Sequence, residues 1–350
     1  MSYRKILAIK FREIGDAAIW TSALQSLRNM FPEAEIDLLV REHVEPVLRG
    51  QPGLGRIHSV ASRGPLHLAR RLIALRAERY ELAVGFHATK TLCRLIPLLG
   101  AKKRALYYHK TAADPRSSTF GLPQPGKYEN AILRDHQLIR ALGGEAEPPA
   151  PRLELSDEER WRARERMLPF VPDLGRDGIR LLGLLPGGRW ETKRYPRDLW
   201  LQLLDRVVEA RPRVPVAVLV DRELSATWAL PEACEARRVP LFDDLSLREL
   251  MGMLSLVDVV IGNDSGPKHL AVALGARSLT LFGPTQVGEW HPYDPIEHPV
   301  LRVEVPCRAE GPQDLEEFRY CSLFSCDHHS CLRQIAPDRV WATARDLLGR

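Results

Sequence analysis

The stretch Leu256–Gly275 joins an apolar run, Leu256–Ile261, to the polar turn Asn263-Asp264-Ser265-Gly266, and then to Pro267-Lys268-His269 at the head of an apolar periodic segment. An interior parallel strand passing through a cap into a helix reads this way. Pro267 fits the first helical turn, where a missing N–H is harmless. Such a strand–turn–helix unit commits the chain to an α/β fold. It also leaves backbone N–H groups at the positive end of a helix, beside Lys268 and His269, where a phosphate or diphosphate can bind. The plainer reading is an ordinary capped helix, with Ser265 as the cap and His269 packed.

The rest of the chain repeats the pattern. Strands are expected at Lys5–Phe11, Ala34–Val40, Leu82–Phe86, Arg180–Leu185, Val214–Val220 and Ser278–Phe282. Helices are expected at Ala17–Met30, Pro65–Arg79, Lys90–Leu99, Tyr128–Leu142, residues 156–168, Pro196–Ala210, Leu247–Met253 and Pro337–Leu348. Strands alternating with helices imply parallel sheets with right-handed crossovers. At 350 residues the chain is long enough for two such domains. His109–Lys127, rich in Pro, Gly, Ser and basic residues, reads as a long loop over a site.

Charge is unevenly spread. Residues 1–150 hold 23 Lys+Arg against 14 Asp+Glu, a balance of +9, and the remainder hold 27 against 31, a balance of −4. A basic first half suits an acidic partner such as a phosphorylated glycolipid or an anionic membrane surface, or is simply a solvated basic face. No nucleic-acid-binding signature is present. No apolar stretch has the length of a membrane span or signal peptide, so a cytoplasmic protein is expected, with peripheral contact at the inner face of the inner membrane. Four of the six cysteines, Cys307, Cys321, Cys326 and Cys331, crowd the C-terminal region beside His328 and His329. Their spacing lacks a CxxC pair, so no metal is assigned.

Ligands of open α/β sheets collect at the C-terminal ends of strands. Three polar loops lie at such ends: Gly15-Asp16, Pro186–Arg194 and Asn263–His269. Asp16 is either a helix N-cap or a general base within reach of an acceptor hydroxyl. Gly15 lets the backbone pass close to a ligand. Lys193 and Arg194 follow a Gly-Gly turn and are placed to neutralise a leaving diphosphate. Asp243-Asp244, before a helix, reads as a cap rather than a metal motif.

Four ordered blocks resemble glycosyltransferase family 9, the lipopolysaccharide heptosyltransferases. They are Ile9-Lys10 with Gly15-Asp16 and Pro32–Ile36; Leu185–Pro196; Gly262–His269; and Leu281–Thr285 with Trp290–Tyr293. The Cys-rich tail is also similar. The resemblance implies a GT-B fold of two Rossmann-like, doubly wound domains facing a central cleft. The first, 1–175, would hold the acceptor and the second, 176–336, the nucleotide sugar. A terminal helix, 337–350, would pack back on the first domain.

By the same resemblance Asp16 is the base, Lys193 the lysine at the donor phosphates, and Asp264, Ser265, Gly266 and His269 hold the donor with Arg189 and Thr192. The reaction implied is an inverting transfer, metal-independent and without cofactor, of heptose from ADP-heptose to a lipopolysaccharide core or related glycolipid. Lys90, Arg94, Lys110 and Arg116 are the acceptor-side candidates, with Lys127 near them. The sequence departs from the family at Asp221-Arg222-Glu223, where a glycine-rich turn is usual and Glu223 is left as the ribose contact. Phe11–Ile14 replaces small hydroxyl residues, and Glu310–Arg319 is an insertion. A sugar-nucleotide epimerase of the same architecture and a non-catalytic sugar-nucleotide-binding paralogue are the alternatives.

Overall fold

A computed structural model describes residues 2–61, 64–108, 114–122, 129–144, 147–210, 214–309 and 326–349. The chain forms two compact units, Met1–Glu154 and Leu155–Arg350.

The first unit is built on strands β1 (Lys5–Lys10), β2 (Glu35–Arg41), β3 (Ile57–Val60), β4 (Leu82–Gly85) and β5 (Lys103–Leu106). All neighbours pair in parallel, in the order β3-β2-β1-β4-β5. Helices α1 (Ile14–Met30), α2 (Glu45–Leu48), α3 (Pro65–Leu75), α4 (Lys90–Leu95) and α5 (Ala131–Ala141) complete it. Ile6 to Ile9 of β1 are fully buried because both sheet faces are covered. One face packs Leu7, Ile9 and Leu39 against Leu68, Leu72 and Leu75 of α3. The chain moves from β1 outward through β2 and β3, then returns to β4 on the other side of β1. The loops after β1 and β4 therefore border the crevice where open sheets bind ligands.

In the second unit α6 (Asp157–Met167) precedes β6 (Leu182–Leu185), α7 (Arg197–Glu209), β7 (Val216–Leu219), α8 (Arg222–Thr227), α9 (Leu230–Ala236) and β8 (Leu241–Phe242). Then come α10 (Leu247–Leu254), β9 (Val259–Asn263), α11 (Gly266–Ala273), β10 (Arg277–Leu281), α12 (Val287–Trp290), β11 (Val300–Leu301), α13 (Pro306–Ala309), α14 (Ser330–Arg333) and α15 (Pro337–Leu348). The parallel sheet has the order β11-β10-β9-β6-β7-β8. Its switch lies between β6 and β9, whose following loops are the two donor-side segments singled out in the sequence.

The α/β architecture agrees with the sequence reading, and the boundaries differ. Residues 155–175 belong with the second unit because α6 docks on α10. Gly252 there leaves space for Ala163, a Cβ at Gly252 falling 3.1 Å from it, and Glu159 pairs with Arg248 at 2.5 Å. The terminal helix α15 sinks Val340, Trp341, Ala344 and Leu347 into the second unit's own core. Strands β3, β5, β8 and β11 and helices α8 and α9 were not anticipated. Within His109–Lys127, the described residues 114–122 include Thr119, which hydrogen-bonds along β5 through its N–H to the Arg104 carbonyl at 2.7 Å. Lys110, Lys127, Cys321 and the Glu310–Arg319 insertion lie outside the described residues.

Candidate active site

The turn between β9 and α11 is organised by Asn263, which is fully buried at the strand's end. Its amide donates to the Pro186 carbonyl at 2.8 Å and the Gly187 carbonyl at 3.1 Å. Its oxygen accepts from the Tyr195 N–H at 2.9 Å. One side chain thus fastens the loop after β6 to the loop after β9. Gly188 faces Ser265 across the junction, a Cβ there standing 3.7 Å from Ser265 Cβ, in ordinary contact.

Asp264 points into the junction. Its Oδ2 accepts from Lys193 Nζ at 2.7 Å and from Thr285 Oγ1 at 2.7 Å. Lys193 ends a short 3-10 turn, Glu191–Lys193, and its ammonium lies 4.7 Å from the Trp190 ring centroid. Ser265 is the N-cap residue of α11, but its hydroxyl makes no cap bond and is buried without a hydrogen-bond partner. The reading of Ser265 as an ordinary cap is therefore corrected. A buried hydroxyl left unmade is costly unless something else fills its valence. At the positive end of a helix the natural filler is an anionic oxygen.

Behind this turn, Lys268 is completely buried, with Trp290 O and His291 Nδ1 each 3.4 Å from its ammonium. The Tyr293 ring centroid lies 5.3 Å away. Burial, only partly offset by the Asp264 charge, pushes the Lys268 pKa down to about 7. Burial opposes ionisation of Asp264, yet the charges of Lys193 and Lys268 outweigh it and keep the carboxyl below its ordinary range. His269 Nδ1 meets the Tyr293 hydroxyl at 2.6 Å. His291 Nε2 donates to the His298 carbonyl at 2.6 Å, so Nδ1 is the bare nitrogen and accepts from Lys268. The result is a cationic rim on a neutral, aromatic floor, suited to a diphosphate with a sugar beneath it.

Comparison with known proteins identifies the family. The model for glycosyltransferase family 9 (heptosyltransferase) matches residues 70–314. The chain belongs to that family. It is 25% identical over 359 residues to lipopolysaccharide heptosyltransferase 1 of Pseudomonas aeruginosa PAO1, covering 96% of each chain. A family 9 glycosyl transferase from Veillonella parvula shares its fold with a TM-score of 0.78, 18% identity, and coverage of 99% and 98%. E. coli heptosyltransferase WaaC, solved with ADP-2-deoxy-2-fluoro heptose, aligns with a TM-score of 0.67 at 17% identity over 98% and 99% of the two chains. The protein is a glycosyltransferase of GT-B fold.

In this transferase Lys193, Asp264, Ser265, Gly266 and His269 come together as the sequence suggested. Thr192 is buried beside them, its carbonyl 3.3 Å from where a Cβ on Gly283 would lie, whereas Arg189 is exposed. Glu223 is exposed on the first turn of α8, and Asp221 caps that helix, accepting from the Leu224 N–H at 2.9 Å. The capping role expected for Asp243-Asp244 is corrected: Ser246 caps α10, while Asp243 accepts from Ser225 Oγ at 2.6 Å and Asp244 pairs with Arg166. Thr285 was not assigned a role beforehand, and Lys268, expected within reach of a bound phosphate, is instead fully buried behind the turn. Thr285 reaches Asp264 because β10 lies beside β9 in register, Leu281 opposite Asn263.

In the first unit Asp16 is not the N-cap of α1. Glu13 is, and Asp16 sits at the third helical position of a reciprocal capping box, its Oδ2 3.4 Å from the Glu13 N–H. Arg12 Nε donates to its Oδ1 at 3.1 Å. Gly15 is buried beneath it. At the end of β1, Lys10 and Asp135 form an ion pair of 2.5 Å, only 3% and 1% exposed. Burial lowers the Lys10 pKa, opposed by the charges of Asp135 and Asp16. Lys90 and Arg94 are exposed one turn apart on α4, and Arg116 is exposed on the segment beside β5. Among the described residues no group of three or more His, Cys, Asp or Glu side chains is arranged for a metal ion. Cys307, Cys326 and Cys331 are not disulfide-bonded.

The neutral floor gives a pH dependence. Burial and the Lys268 charge push His291 down to about 3 and His298 to about 4, and hold His269 well below its usual value. As pH falls through about 6.5 the unfolded chain protonates these imidazoles before the folded protein does, so stability present above that pH is lost toward pH 4. His291→Gln removes one of the three. The wild type should lose roughly 2 kcal/mol relative to the variant between pH 6.5 and 5, at about 1.4 kcal/mol per unit and group. Urea unfolding at the two pH values measures it, and parallel losses would exclude His291 from the linkage.

Proposed function

We propose that the protein is an inverting glycosyltransferase that moves heptose from ADP-heptose to a phosphorylated glycolipid of the lipopolysaccharide type, in the cytoplasm at the membrane surface. The observation that carries the donor side is the convergence of Lys193, Asp264 and Thr285 with the unpartnered Ser265 hydroxyl at the start of α11. The WaaC structure with a fluorinated ADP-heptose supports the choice of donor. Lipopolysaccharide heptosyltransferase 1 supports the choice of acceptor.

In the reaction Asp16 takes the proton of the acceptor hydroxyl as its oxygen attacks the anomeric carbon from the face opposite the leaving group. The bond from that carbon to the diphosphate oxygen breaks, and its electron pair leaves with ADP. Lys193, the Ser265 hydroxyl and the N–H groups at the head of α11 receive the developing charge. His269 and Thr192 flank the donor, and Arg189 and Glu223 reach the nucleotide from the rim. Lys193 and the helix start supply the positive charge that a divalent cation supplies elsewhere, so the transfer proceeds without one. Lys90, Arg94, Lys110 and Arg116 meet the acceptor's phosphates.

Thermal unfolding with ADP, UDP, GDP and CDP, each with and without Mg²⁺, tests the donor. ADP at about 100 times its Kd should stabilise the fold by about 2.7 kcal/mol, independently of Mg²⁺. A following assay with ADP-heptose and a delipidated core acceptor should yield the inverted anomer by NMR. Preference for another nucleotide, or a requirement for Mg²⁺, would refute the donor or the metal-free mechanism respectively.

A further inference from the structure

Helix α3 carries two apolar stripes. Leu68, Leu72 and Leu75 face the core, and Leu66 and Ile73, seven residues apart on the opposite side, are 75% and 55% exposed. Arg70 lies between them at helical spacing, and Arg76 follows in the short turn that extends the helix. Both arginines are exposed, and among the described residues neither has a carboxylate partner. Between Glu45 and Glu78 the sequence holds six arginines and no acidic residue. Glu78 itself is occupied by Lys5 and Arg56.

Exposed Leu and Ile framed by unpaired arginine, with no negative charge nearby, are complementary to an anionic lipid surface. Acyl chains take the apolar side chains, while arginine reaches the headgroup phosphates. What sets Leu66 and Ile73 apart from the other exposed apolar residues, Trp161, Phe170 and Ile296, is that they share one helix face with arginine and no acidic residue. The position also fits: α3 begins at the C-terminal end of β3, the same edge of the first unit's sheet from which Asp16 projects after β1. A lipid-anchored acceptor keeps its chains in the bilayer while its sugar reaches the base.

The geometry points to the outer face of α3, formed by Leu66, Arg70, Ile73 and Arg76, as a docking surface for the anionic phospholipid bilayer. This deepens the membrane-surface reading above and rests on it, but its test uses neither donor nor acceptor.

The full-length protein is sedimented with vesicles of equal parts phosphatidylethanolamine and phosphatidylglycerol, and with pure phosphatidylcholine vesicles. Binding is expected to the first and not the second. Arg70→Ser with Arg76→Ser should weaken it roughly thirtyfold, equivalent to about 1 kcal/mol per arginine. Leu66→Ser with Ile73→Ser should weaken it about tenfold or more. Both variants should keep the wild-type melting temperature and transfer to a delipidated acceptor.

Unchanged binding in both variants, or equal binding to the two vesicle types, overturns the proposal. Self-association without lipid that disappears in the Leu66/Ile73 variant would give the face to a second copy instead. Loss of transfer to the delipidated acceptor would give it to the acceptor's sugar. If the wild type transfers nothing yet binds vesicles as described, the functional reading fails and the docking surface stands.

Discussion

Asp16→Asn is expected to lower turnover by about a hundred- to ten-thousandfold while leaving stabilisation by ADP unchanged. A positioned general base contributes about that much, and asparagine cannot accept the proton. Fold loss is a small term. The asparagine oxygen can still accept from the Glu13 N–H, and what disappears is the Arg12 contact and a negative charge in the first turn of α1. Single-turnover transfer from ADP-heptose, measured beside the ADP-dependent melting shift, separates the two roles. A rate within a few-fold of wild type would remove Asp16 from proton transfer. A lost ADP shift would move it into donor binding.

Lys193→Ala should remove both donor stabilisation and rate. Loss of one preorganised charge donor to a leaving group typically lowers kcat by about a hundred- to a thousandfold. Here the ADP melting shift should shrink as well. The free protein should also lose stability, since Asp264, 5% exposed, is left with only Thr285 at 2.7 Å and the charge of Lys268 behind it. Lys193→Arg should recover part of the rate, since charge is restored but the compact ammonium is not. If Asp264→Asn in the Lys193→Ala background restores the melting temperature without restoring transfer, the pair's structural and chemical parts are separated. Wild-type kcat in Lys193→Ala would exclude a role at the diphosphate.

Much of this was legible in the sequence because the relevant residues are contiguous. Leu256–His269 reads directly as strand, turn and helix head, and the structure supplies β9 and α11 there. What escaped depends on neighbours far along the chain. Thr285 is separated from Asp264 by a helix and a strand, and only the pairing of β10 with β9 joins them. Lys268 looked like a surface cation in reach of a ligand, but the chain that follows β10 folds Trp290 to Tyr293 over it and buries it.

Short elements were missed for a different reason. Ile57-His58-Ser59-Val60 forms an edge strand with two polar residues, and Lys103-Arg104-Ala105-Leu106 begins with two cations, so neither shows the apolar run of an interior strand. The division at Glu154/Leu155 falls earlier than the expected 175/176 because the charge of residues 156–168 gives no sign of what the helix packs on. Their membership in the second unit rests on Ala163 meeting Gly252 and on Glu159 meeting Arg248.

The amide of Asn263 holds two loops that leave neighbouring parallel strands of one sheet, and its bonds stay wholly inside the second unit. The loops around Asp16 are closed by bonds of their own. On the proposed division of roles, descendants of such a chain can rewrite the acceptor loops, by insertion or recombination, without disturbing the half that grips the donor. One nucleotide sugar can in this way be inherited across lineages whose cell-surface glycans have diverged.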